Sequence, residues 1–153
     1  MKKFLLALIG AAACLGASAT DYELVTSASD IKAGDNYILL GKNGDKNYGM
    51  GPVNSNGNNF SAKSVTLTNT TVSLTGTEGV QPVTLRATAD SNFPYQFEYV
   101  TSADKTVYLN AKSTSSNQMG ITETATTKTT NASISVAETG VATIKFNQTK
   151  KNW

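Results

Sequence analysis

The 153-residue chain has no histidine, and its single cysteine is Cys14. Without histidine there is no Ser-His-Asp or Cys-His catalysis and no imidazole to hold a metal. Cys14 sits in the apolar N-terminal stretch, so the remainder of the chain has no disulfide, zinc thiolate or cysteine nucleophile. Carboxylates, lysine, tyrosine and hydroxyls are the chemistry left. Net charge is also lacking: the 13 basic residues include Lys2 and Lys3, and without those two the basic total equals the 11 acids. Such a balance exerts no long-range pull on nucleic acid or anionic lipid. No run of lysine with interleaved aromatics offers a single-strand nucleic-acid platform. Gly49-Met50-Gly51 lacks the third glycine and the following helix of a phosphate loop. Nowhere beyond the N-terminal stretch does an apolar period of 3.6 persist for three turns, so no long helix is expected there.

The N-terminus carries a targeting pattern. Met1-Lys2-Lys3 is a positive start, residues 4–15 are apolar, and Ala17-Ser18-Ala19 is a small-residue cleavage site. This reads as a helical signal peptide over residues 1–19, cut near Ala19, too short to span a bilayer comfortably. The product is then secreted or held at the cell surface. Ala11-Ala12-Ala13-Cys14 offers small residues for lipid anchoring at Cys14, but the leucine usual three positions before the cysteine is absent, so simple cleavage is the preferred reading. Residues 20–153 form one domain by length.

Residues 22–40 carry the clearest strand and turn punctuation. Tyr22, Leu24 and Thr26 alternate with Glu23 and Val25, a period of two. Ser27, Ser29 and Asp30 favour a turn or cap, with room for about one helical turn before Ala33. Gly34 sits in a second turn cluster, and Tyr37-Ile38-Leu39-Leu40 reads as a buried strand. The run Tyr22, Leu24-Val25-Thr26-Ser27, Ser29-Asp30-Ile31, Ala33-Gly34-Asp35 and Tyr37-Ile38-Leu39 resembles the opening of β-rich accessory domains in large secreted proteins of Bacteroides-like bacteria. Asn59-Phe60-Ser61-Ala62, Val65-Thr66, Tyr108-Leu109-Asn110-Ala111 and Ala142-Thr143-Ile144-Lys145-Phe146 extend the likeness along the chain. The resemblance implies a non-catalytic module beside endonuclease, lamin-tail or immunoglobulin-like neighbours. It brings no ligand or catalytic residue with it.

The rest of the chain punctuates in the same way. Asn43-Gly44 signals a hairpin, Tyr48-Gly49-Met50 a returning strand, and residues 51–59 a surface loop. Strands are expected around Phe60 to Leu67, Val72 to Leu74, Val83 to Ala87, Tyr95 to Tyr99, Val107 to Asn110 and Met119 to Ile121. Tyr95, Phe97 and Tyr99 share one face, most simply the inner one. Residues 122–130 are threonine-rich and expected to be exposed. Ala132, Ile134 and Val136, then Glu138-Thr139-Gly140, then residues 141–146 make the last hairpin. About ten short antiparallel strands predict an all-β sandwich or partly open barrel. The only tryptophan, Trp153, ends the sequence as if opening another strand, so the domain is expected to continue beyond it.

The pattern offers several candidate sites. Asp30 with Asp35, Asp90 with Glu98, and Asp104 are the carboxylates available for glycoside hydrolysis, but turn chemistry explains them better. Asn43 to Asn47 and Asn54 to Asn59 offer oxygen ligands without the EF-hand spacing or its glutamate, so no metal and no cofactor is assigned. Sequons stand at Asn69, Asn131 and Asn147 and are discounted for a bacterial chain. The candidate ligand-binding residues are Tyr48, Asn54, Asn56, Asn58, Tyr95 and Trp153, rings beside amides as sugar binding requires. The expected function is that of an exported accessory or binding domain. Its partner is an extracellular glycan or an adjacent domain. The alternatives are a glycan-binding module, or the non-catalytic part of a secreted hydrolase or nuclease whose catalytic domain lies past residue 153.

Overall fold

Short alternating segments cannot satisfy their own backbone groups, so they must pair with one another. The computed structural model describes residues 7–11 (backbone only), 19–57, 59–76, 78–112 and 119–148. Within them the chain is all-β and every strand pairing is antiparallel. The strands are β1 (Ala7–Ala11), β2 (Thr20–Leu24), β3 (Asn36–Asn43), β4 (Lys46–Val53), β5 (Phe60–Val65) and β6 (Thr71–Leu74). They continue as β7 (Val83–Ala87), β8 (Tyr95–Val100), β9 (Thr106–Ala111), β10 (Met119–Thr122), β11 (Ala132–Val136) and β12 (Ala142–Phe146). The main path runs β10-β9-β8-β7-β3-β1-β2-β6, with β4–β5 branching from β3 and β11–β12 touching β8. The barrel does not close, as the sandwich or partly open barrel expected from sequence requires.

One part of the expected signal helix departs from expectation. Ala7–Ala11 is a strand, not helix, and lies between β2 and β3. Residues 1–6 and 12–18 lie outside the described residues, as does Trp153 with the expected strand it opens. The turn before β3 is a short 3-10 segment, Ala28–Asp30, capped by Ser27, whose side chain accepts from the Ser29 N–H.

β3 organises the packing. Tyr37, Ile38, Leu39 and Leu40 are all buried, so the strand has a core on each side. Tyr37 and Leu39 face the larger core, with Leu85, Phe97, Tyr99, Leu109, Ile144 and Phe146 among its members. Ile38 and Leu40 face a smaller one with Tyr22, Val72 and Leu74. The β11–β12 hairpin covers the larger core. The Phe146 ring lies 6.5 Å from that of Phe97 at a tilt of 58°, within the range of favourable aromatic pairs. Burial of Phe97 and Tyr99 puts that aromatic row on the inner face, and Tyr95 packs against it.

Two local readings shift. The β3–β4 hairpin closes Asn43 on Lys46, so its loop is Gly44-Asp45, with Gly44 supplying the positive φ of 61°. Gly51-Pro52-Val53 is strand and not loop. β4 and β5 change register between Met50 and Val53, and a bulge there accommodates a proline that cannot donate to the ladder. The threonine-rich segment does turn through exposed residues, yet it ends on Thr130 and Asn131, which are buried.

Candidate functional site: an apolar groove beside β3 and β4

β3 pairs with both β4 and β7, through different residues: Leu40 to Asn43 with β4, Asn36 and Tyr37 with β7. β4 therefore leaves β3 as β7 arrives, and Gln81 donates its N–H to the Met50 carbonyl at 2.7 Å across the junction. The divergence opens a groove of about 580 Å³, a volume in the range of small-molecule sites. Leu39, Leu40, Met50, Phe60 and Met119 give it an apolar lining, Tyr48 adds a ring with a hydroxyl, and Lys42, Asn43 and Ser61 supply polar groups. Tyr48 is half-buried, while Lys42, Asn43 and Ser61 are exposed.

Gly49, one of the lining residues, also permits close packing on β4. A Cβ there would stand 2.8 Å from both methyl groups of Val80, too close for a real contact. A side chain at this position forces Val80 back into the region it packs against, so glycine permits the close approach of the 80–82 segment to β4.

Of the six candidate ligand-binding residues named from sequence, only Tyr48 lines the groove, joined there by Asn43 from the run of oxygen ligands at 43–47. Asn54 and Asn56 belong to the exposed β4–β5 turn, where the Asn54 carbonyl accepts from Gly57 and its N–H donates to Asn59. Tyr95 packs against the larger core, away from this lining. Asn58 and Trp153 lie outside the described residues. Sequence reasoning did not find Phe60, Met50 and Met119 as lining residues, because an apolar strand position reads the same whether it faces a core or a groove.

A second polar region lies on the sheet face opposite the larger core. Arg86 forms a two-pronged contact with Glu98, at 3.1 Å from Nε and 2.8 Å from Nη2. That pairing raises the Arg86 pKa above its ordinary value. Gln96 Nε2 donates to Thr130 Oγ1 at 3.1 Å and Asn131 Oδ1 at 2.7 Å, which fastens the 126–131 segment over β8. This explains why Thr130 and Asn131 are buried at the end of a polar stretch. Asn110 Oδ1 is buried with no hydrogen-bond partner among the described residues.

Of the carboxylates open to hydrolysis, Asp90 and Glu98 are engaged by different partners. Asp90 Oδ1 accepts from the N–H groups of Asn92 and Phe93, the turn role read from sequence, and its Oδ2 accepts from Asn147. Glu98 is held by Arg86. Asp104 occupies a turn with φ of 55°, and Asp30 ends the 3-10 segment. Among the described residues no three metal-type side chains cluster. No described helix is long and apolar enough to cross a membrane.

No family model, no curated protein and no solved structure matches this chain.

Proposed function

We propose that the chain is an exported, non-catalytic binding domain whose groove takes an extracellular ligand with an apolar face and hydrogen-bonding edges, the chemistry of a sugar chain. The groove itself carries the reading: apolar walls, one tyrosine ring, and an amide, an ammonium and a hydroxyl at one open site. Sugar rings present C–H faces to such walls and hydroxyls to such edges. Engagement of Asp90 in its turn and of Glu98 in an ion pair supports a binding role over hydrolysis for that pair. Near-zero charge outside the leader favours a neutral ligand over nucleic acid. The leader pattern supports secretion or surface display, and the resemblance at residues 22–40 supports service as an accessory module beside another domain.

The test is affinity electrophoresis of the chain and of Tyr48→Ala through gels holding a panel of neutral polysaccharides. At least one polysaccharide should retard the parent chain, and Tyr48→Ala should run free in the same gel. Retardation by none, or equal retardation of both proteins, removes the groove as a glycan site.

A further inference from the structure

β1 occupies an interior position of the sheet, yet it comes from the segment that export would remove. It pairs with strands on both sides: Ile9 stands opposite Leu24 and Ile38, and Gly10 opposite Glu23 and Tyr37. Along the pairing path β1 is what joins β2–β6 to the rest of the sheet. Taking it away uncovers backbone donors and acceptors on both β2 and β3, next to the buried side chains of Tyr22, Ile38 and Leu40. Unpaired backbone groups beside an apolar cluster are costly, so the gap demands a replacement.

β2 is poorly placed to close that gap. It is antiparallel to β1, and β1 is antiparallel to β3, so β2 and β3 run parallel. Direct pairing would create a parallel ladder across the short connection of residues 25–35, whereas parallel neighbours need a longer crossover. Val25 and Ile31 of that connection are anchored in the larger core, which ties β2 where it stands. A third strand, antiparallel to both neighbours, satisfies every exposed backbone group without moving either.

We propose that, once the leader is cut, the slot between β2 and β3 is an acceptor for an extended apolar strand donated by another polypeptide chain. This rests on the export reading. The chemistry of the donor follows from the strand now seated there, Ala7-Leu8-Ile9-Gly10-Ala11: five uncharged, small or aliphatic residues, antiparallel to β3. Main-chain hydrogen bonds would supply the affinity and the alternate side chains the selectivity, as in other strand-addition complexes. A charged residue in the middle of the donor would face the apolar surroundings of Ile38 and be rejected.

The experiment begins with the full chain folded intact, carrying a protease site placed within residues 12–18. After cutting, a fluorescent peptide copying residues 5–13, with lysine tails for solubility, is added in excess. The labelled peptide should displace the native strand and co-elute with the protein. A copy with Ile9→Lys and Gly10→Pro should not. Backbone amides of β2 and of residues 37–40 should exchange roughly 100-fold faster when the slot is emptied than when it is filled. If the emptied chain unfolds, the parent peptide should refold it. The proposal is overturned if the cut strand leaves and those amides stay protected, since β2 has then closed on β3. Equal binding of the broken peptide, or failure of the parent peptide to refold an unfolded chain, overturns it too. The export reading is checked separately by the mass of the secreted product: a chain starting before Thr20 sinks that reading and leaves the exchange result standing.

Discussion

The two faces of β3 carry unequal loads. One face, through Tyr37 and Leu39, enters a core built by β7, β8, β9, β11 and β12 and sealed by the Phe97–Phe146 contact. The other, through Ile38 and Leu40, enters a small cluster with β2 and β6. The first takes no strand before β3, while the second depends on β1 for its pairing to the rest. The difference teaches that a strand with no alternation, Tyr-Ile-Leu-Leu, marks two cores of different strength and not one deep interior.

The comparison breaks most sharply at Phe97. Phe97→Ala removes the centre of the larger core and is expected to cost about 3–5 kcal/mol, read as a lower urea midpoint. Ile38→Ala deletes volume only from the smaller cluster and should cost about 2–3 kcal/mol, the low end for such a change, because β2 and β6 can settle inward. An equal or larger loss at Ile38 would show that the smaller cluster is no weaker than the larger.

Alkaline titration probes both faces through their tyrosines. Burial pushes the Tyr22 phenol above its ordinary value in the smaller cluster. Burial does the same for Tyr37 in the larger one, the Lys32 backbone bond opposing it and the Asp35 charge adding to it. The neutral phenol is thus favoured in the folded chain. Its contribution is complete below the unfolded value of 10 and is lost as pH rises through the higher folded value. Thermal midpoints should fall above that pH, and Tyr37→Phe should flatten part of the fall. Tyr37→Phe also removes the hydroxyl that accepts from the Lys32 N–H at 2.8 Å, costing about 1 kcal/mol at neutral pH. A midpoint unchanged between pH 9 and 12 would contradict the burial of both phenols.

The smallest effect belongs to the turn after β6. Glu78 accepts from the Thr75 N–H at 3.1 Å, and that bond leads the causes holding its pKa below the ordinary value. Because the folded value is the lower one, the contribution is present above the ordinary glutamate value and lost as pH falls through the folded value. Glu78→Gln should lower stability slightly near neutral pH and so make its decline in acid shallower. A variant as acid-sensitive as the parent would place the acid response elsewhere.

Much of the strand pattern was legible because turn chemistry and alternation are local. The Ala132 to Phe146 hairpin reads directly, down to Gly140 at φ 77° in its loop. The bulge at Gly51-Pro52 reads as loop in the sequence, because glycine and proline break patterns equally well in a loop and in a bulge. Thr130 reads as surface with the rest of residues 122–130, since nothing near it in sequence announces the Gln96 amide that reaches it from 34 positions away. In the groove, Tyr48 was singled out from its neighbours, but Phe60 and Met119 reach it only through the splaying of β4 from β3.

By itself the sequence determined the all-β class, the turns, the burial of Tyr37 to Leu40, and the exclusion of histidine chemistry. These depend on residue type and on spacings shorter than one strand. Tertiary structure decided which strands are neighbours, where β3 divides its two faces between cores, where the groove opens, and that Ala7–Ala11 fills an interior slot. Strand pairing acts between residues far apart along the chain, and its backbone hydrogen bonds are the same for almost any residue. Partner choice therefore rests on packing the whole sheet at once, not on any local signal.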